Sequence, residues 1–368
     1  MYPGFHHLAA TQREGLSICD AQRDAKFISN PFLALGTTDS PGLAYLDGLV
    51  GHQGKQGCWL YCGVTGRHKA KQKTYYAAHK KPERYDVEGC NHPDIDVWNL
   101  PNFTQEEYWR NLIFLLLSPN ETQYKKCRLK TGISKPSILF LGFPPDHTFG
   151  VPHCFGSDTM HLISLNIPDL LIPLWRGTFE CDPNDDLATW PWAILVGDTW
   201  DYFGKLVAAT TSYLPGCFDR PPRNPAEKIN SGYKAWEFTL LMYGLGPMLL
   251  YGILPPPYWK HFFKLVRAVQ IISQYTITHK DLREAAQLFI EFIEEFEDLY
   301  YQRKPERLHF TRQSVHTLGH YAREVATKGP LICSSQWTME RTIGNLVSEI
   351  RQPSNPYKNL AKRALRCA

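Results

Sequence analysis

Six residues in this chain have types and spacings that can do chemistry, and they fall into three groups. Glu340 is the acid inside LICSSQWTMERTIGNLVSEIR, residues 331–351. Ser334, Ser335 and Thr338 stand around its start, where helix N-caps belong. Ile343, Leu346, Val347 and Ile350 follow at helical spacing, so the segment reads as an amphipathic helix with Glu340 in its first turn. Trp337 lies about one turn before it. A first-turn glutamate ordinarily serves a cap or the helix dipole, and becomes chemical only where other acids meet it. Asp39 closes the apolar run FLALGTT at a Ser40-Pro41-Gly42 turn. A carboxylate at the end of a buried strand is where open α/β sheets present functional groups; the structural alternative is an Asx-turn. Asp158 and His161, in SDTMHL, share a face if the segment is helical. Such a pair orients a metal or braces a neighbouring acid, or serves simply as an N-cap and a core histidine.

Cys58 and Cys62 form the third group, in a glycine-dense stretch, at the spacing of a zinc hairpin. Zinc needs four donors, and the nearby candidates are His68, His79, Cys90 and His92, the last two within GCNHPD. Basic residues cluster alongside: Arg67, Lys69, Lys71, Lys73, Lys80, Lys81 and Arg84, interleaved with Tyr75 and Tyr76. That mixture can follow a nucleic-acid backbone and stack on bases, or form a solvated loop face. A second basic set, Arg220, Arg223, Lys228 and Lys234, lies in and just after the proline-rich stretch 213–233.

The elements that must position these groups are mainly helical. Helices are expected over residues 6–23, 104–117, 258–275 and 282–301, with strands at 32–38 and within SILFLGF, residues 137–143. In 282–301, Leu282, Ala285, Phe289, Phe292, Ile293 and Phe296 make an apolar stripe that belongs to a core. KKCRLKTGISK reads as a basic linker, and the apolar run 238–254, broken by Gly244, Gly246 and Pro247, as a buried helical hairpin. Composition sets the outer limits. Charged residues make up 21% and aromatics 13% of 368 residues, which excludes a disordered chain. The net charge of +4 permits nucleic-acid binding without demanding it. Ten cysteines scattered over this length suit reduced thiols or metal ligands rather than a disulfide framework. The first residues lack the apolar segment of a secretory signal.

Taken together, DSPGLAYLDGLVGHQGKQGCWLYC, GSDTMHLISLNIPDLLIPLWRGTF, YLPGCFDRPPRNPAEKINSGYKAWEF, FEDLYYQR and CSSQWTMERTIGNL resemble the transposases of CACTA (En/Spm-like) DNA transposons, in the form found in mushroom-type fungi. The resemblance runs over nearly the whole chain. It implies an α/β protein with an RNase H-like core, interrupted by a large mainly helical insertion before the last of three acids. The implied activity is DNA strand cleavage and transfer, with carboxylates holding two Mg²⁺ ions that activate the attacking oxygen and stabilise the leaving one. Asp39 matches the second acid, in an Asp-x-Pro context, and Glu340 the third. Asp158 and His161 match a supporting Asp-x-x-His element, Trp337 an aromatic that stacks near the DNA, and Cys58 and Cys62 a cysteine pair suspected of binding zinc. Transposon-end DNA as partner, a homo-oligomer or a full-length transposase copy as associate, and a nuclear location are implied as well.

This sequence departs from the family pattern at its start. The first acid belongs on a strand upstream of Asp39, where only a helix and a short loop are read; Asp20 and Asp24 are not at a strand end. The expectation is therefore an incomplete RNase H-like core and a catalytically incomplete centre, or a non-catalytic DNA- or protein-binding relic that uses the Cys/His region and the basic loops. The expected divisions are a partial core over 1–50, with Asp39; a possible zinc-binding loop region over 51–100; the rest of the core over 101–175; the helical insertion over 176–330; and the last acid with a basic tail over 331–368.

Overall fold

A computed structural model describes residues 2–140, 142–216, 218, 220–350 and 354–367. Cys217 and Asp219 of the proline-rich stretch, Arg351 and the side chain of Arg366 in the basic tail lie outside the described residues. The chain is mixed α/β but mostly helical, 54% helix against 7% strand, so its strands serve as short ties rather than as a broad sheet. No helix among the described residues is long and apolar enough to cross a membrane.

The largest core is built by the two helices with the clearest sequence signals. Pro256–Ile272 starts with prolines in its first turn, where the missing N–H costs nothing. His279–Phe296 starts with a reciprocal cap between Thr278 and Asp281. Ala285, Phe289, Phe292, Ile293 and Phe296 are buried against the first helix. Lys264 reaches across to Glu291 and Glu295 at 2.6 and 2.7 Å. His261 is buried between them and stacks on Phe292; its Nε2 donates to the Phe292 carbonyl at 2.9 Å. Burial pushes its pKa down to about 3, so it stays neutral. The apolar run from Phe238 contributes to one continuous helical stretch, residues 235–249, widened by a π-turn at Leu240–Leu245.

Among the described residues, three two-stranded pairings lie outside this core. Leu16–Asp20 (β1) and Ala25–Ser29 (β2) form an antiparallel hairpin, so the first helix ends at Glu14 rather than continuing to residue 23. Gly15, at φ +78°, supplies the break. Asp20, expected to lie away from any strand end, closes β1, where it accepts from the Gln22 and Arg23 N–H groups of the turn. Gly36–Thr37 (β3) pairs in parallel with Phe155–Gly156 (β6), while Arg67–His68 (β4) pairs with Tyr75–Tyr76 (β5). The strand expected over 32–38 is thus reduced to its last part, plus one bridge from Leu33 to Thr148. The described residues of SILFLGF form no strand: Ile138–Phe140 are a 3₁₀ turn, and Leu141 lies outside the described residues. The expected basic linker is the end of a helix, Glu121–Thr131, capped by Asn120 and stopped by Gly132 in the left-handed conformation. Where the RNase H-like core was expected, the described residues form one parallel pair, β3 with β6, and Asp39 and Asp158 follow it in the chain.

Candidate metal centre and acidic site

Helices bring together what the sequence holds far apart. Cys58 and Cys62 lie in the loop after the Ser40–Asp47 helix; His316 and His320 lie on and just after the Gln313–Leu318 helix. All four are buried, and their donor atoms fall within 4.8 Å of one another. His316 Nε2 is 3.3 Å from Cys62 Sγ and 3.1 Å from His320 Nε2; His320 Nε2 is 3.5 Å from Cys58 Sγ. Donors held at zinc distances on a tetrahedron sit about 3.3–3.8 Å apart, so the set fits a structural zinc site. Among the described residues it is the one such group. The expected completion by Cys90 and His92 is corrected: the Cys90 thiol sits by the Gly66 carbonyl, and His92 Nδ1 by that of Pro93. His316 and His320 carried the signal, two histidines four apart on one helix face, but they lie 254 and more residues from the cysteines.

The surrounding groups set the protonation states a metal requires. Glu297 accepts from the backbone N–H of His79 and Lys80 and from His79 Nδ1, at 2.7, 2.8 and 3.1 Å. His79 Nε2 is then a lone pair and accepts from His316 Nδ1 at 3.0 Å. That fixes the His316 tautomer, with a bare Nε2 aimed at the cysteines. Burial pushes the His316 pKa down to about 4, which keeps the ring neutral and able to ligate. Burial also opposes ionisation of both thiols. For Cys58, hydrogen bonding with Cys62 and the two imidazoles outweighs it, and the thiol is held well below its ordinary pKa; Cys62 is pushed well above. Two buried thiols beside two imidazoles make a donor set that a bound cation completes. His79, proposed from sequence as a ligand, stands one bond further out.

The second site gathers at the ends of the parallel pair. Thr37 of β3 pairs with Gly156 of β6, so Asp39 and Asp158 each follow two residues beyond the last paired position. Each then caps a helix. Asp39 accepts from the Gly42 N–H at 2.9 Å, which is the Asx arrangement. Asp158 accepts from Met160 N at 3.0 Å and His161 N at 3.3 Å, and its Oδ2 holds His161 Nδ1 in a short contact. Gln336, which sequence reasoning missed, ties the last segment to both strands. Its N–H donates to Asp158 Oδ1 at 3.1 Å and its Nε2 to the Thr37 carbonyl at 3.0 Å. The Trp337–Glu349 helix starts there, and Glu340 N bonds back to the Gln336 carbonyl at 2.8 Å. Glu340 is exposed in the first turn, as its spacing predicts.

His161 reports the convergence. Its hydrogen bond with Asp158 raises its pKa against the opposing effect of burial, and the charges of Asp158, Glu340 and Asp39 raise it further. Asp39 and Glu340 thus act on one imidazole from opposite ends of the chain. They do not, with a third acid, close to the spacing of the cysteine–histidine group.

The basic residues divide differently from the expectation. Arg67 is fully buried, a correction to its assignment to DNA: its guanidinium donates to the carbonyls of Ala78, His79, Cys90, His92 and Pro93. It thereby holds the loop beside β4. Lys69 is paired with Asp182 at 2.6 Å, and Arg223 with the buried Glu237 at 2.6 Å. Lys71, Lys73, Arg220 and Lys228 remain exposed. Comparison of the chain with protein-family models, curated proteins and solved structures finds no match, so the functional reading stands on this geometry.

Proposed function

We propose that this chain is a transposase-derived, DNA-binding protein in which Asp39 and Glu340 belong to a metal-dependent strand-transfer centre, with no third acid at metal-holding distance from them among the described residues. The observation that supports it is the shared placement of acids. Two paired parallel strands deliver Asp39 and Asp158 at equivalent positions, and the Gln336 bridge brings Glu340 to the same histidine. Asp39 and Glu340 would hold Mg²⁺, which when bound supplies charge stabilisation at phosphodiester oxygens. Asp158 serves a different end, since both of its oxygens accept bonds that fix His161 and the start of the last-acid helix. Two carboxylates are one fewer than the three acids that the resemblance implies for a two-metal centre. The cysteine–histidine group supports the scaffold. It joins the segment after Asp39 to the one before Glu340, as a structural zinc ion does.

A supercoiled-plasmid nicking assay in Mg²⁺, run beside salt-dependent binding to duplex DNA, tests the reading. Binding that weakens steeply with salt, without nicking, is the expected result. Nicking abolished by Asp39→Asn would show a complete centre, and absence of DNA binding would remove the transposase reading altogether.

A further inference from the structure

Beside the last-acid helix lies a cavity of about 670 Å³, within the range of small-molecule sites. Phe218, Trp236 and Trp337 give it aromatic walls, and Arg220 and Arg341 line it as well. Neither arginine has an ion-pair partner among the described residues. Gln270 adds a polar amide, whose Nε2 is already spent on the Tyr243 carbonyl at 3.0 Å. One wall is the π-turn at Leu240–Leu245. Such turns are rare inside helices and recur at functional sites. Here the turn is pinned: Tyr243 Oη donates to the Ile163 carbonyl at 2.9 Å, and Thr239 Oγ1 to Ser164 Oγ at 2.7 Å. Trp337 and Arg341 belong to the same helix as Glu340 and flank it in sequence, so the cavity adjoins the acidic site.

Flat aromatic walls with free guanidinium groups suit a flat ring attached to an anion. An aliphatic ligand would leave the arginines unanswered, and a bare phosphate would leave the tryptophans idle. We infer that this cavity takes a single nucleobase unstacked from a DNA strand, with its phosphate on Arg220 and Arg341. The inference rests on the proposal that the chain handles DNA, and it assigns a place for a displaced base beside the strand-transfer centre. Stacking on aromatic side chains tolerates any base, so the site selects unpaired strands rather than sequence.

The test compares a fluorescently labelled single-stranded oligonucleotide with its matched duplex at one salt concentration. Two variants are used, each checked for an unchanged thermal midpoint. Trp236→Ala removes a wall. Ser273→Trp, at an exposed cavity-lining position, fills the space without removing any contact to DNA. Both should weaken single-strand binding by about tenfold or more while leaving duplex binding within about twofold. Unchanged single-strand affinity in both, or equal losses on both DNAs, overturns the cavity assignment and leaves the transposase reading intact. A wild-type chain that binds neither DNA overturns both.

Discussion

The cysteine–histidine group draws on the segments after Asp39 and before Glu340, yet it and the acidic site are opposites. The first is buried, and its His316 is fixed by a relay that ends in a buried carboxylate. The second is open: Glu340 is exposed, and Asp39 is held by one backbone N–H and its neighbour Thr38. Closed metal sites hold structure, while open ones leave positions for reacting groups. The near-continuous helical stretch 313–328 links the two. It carries His316 and His320 at one end; near the other, Glu324 accepts from Ser157 N at 3.0 Å, just past β6. The rigid site therefore acts as the footing on which the open one is aligned.

Breaking the footing should have the largest effect. Cys58→Ser or His316→Ala should abolish stoichiometric zinc, read by elemental analysis, and lower the thermal midpoint. At free zinc 1,000-fold above its Kd, binding contributes about 4 kcal/mol that these variants lose. A wild-type midpoint indifferent to a strong chelator would refute the structural role. Removing only the outer support should cost less. Glu297→Gln keeps all four ligands but weakens the relay, and zinc affinity should fall about 10- to 100-fold in a competition titration.

Effects at the acidic site should be smaller and graded. The His161 pKa, followed by NMR, should fall most in Asp158→Asn, less in Glu340→Gln and least in Asp39→Asn. An inverted order would mean that the three acids do not surround His161 in this way. Because folding raises this pKa, the stabilisation is fully present below the ordinary histidine value and is lost as pH rises through the raised one. The smallest change is Gly42→Ala. A Cβ there would lie 2.5 Å from Thr38 Oγ1 and 2.6 Å from Asp39 Oδ1, which displaces the Asp39 cap. The expected cost is about 1 kcal/mol in denaturant unfolding, although alanine is the better helix former.

Legibility in the sequence followed locality. The helix expected over 104–117 forms, with Thr104 and Glu107 in a reciprocal cap, and the apolar stripe after Leu282 is buried as its period requires. Cys58 and Cys62 could be seen because both thiols lie on one turn, whereas His316 and His320 could not be joined to them by any local rule. The β1–β2 hairpin escaped because its side chains are mostly exposed, leaving no alternation of burial to detect. Arg67 looked like a DNA contact because composition does not distinguish a guanidinium facing water from one facing five carbonyls. The Asp39 reading was ambiguous for a sound reason: the residue is both the Asx cap and the acid at a strand end.

The separation of the candidate metal ligands bears on how the protein is made. Cys62 leaves the ribosome 254 residues before its partner His316. At about 5–20 residues per second that is an interval of roughly 13–50 s. Throughout it, two thiols destined for burial stand as a half-built claw, open to oxidation or to the wrong metal. Nascent chains of this protein should therefore depend on a reducing environment during translation, and finished molecules should not.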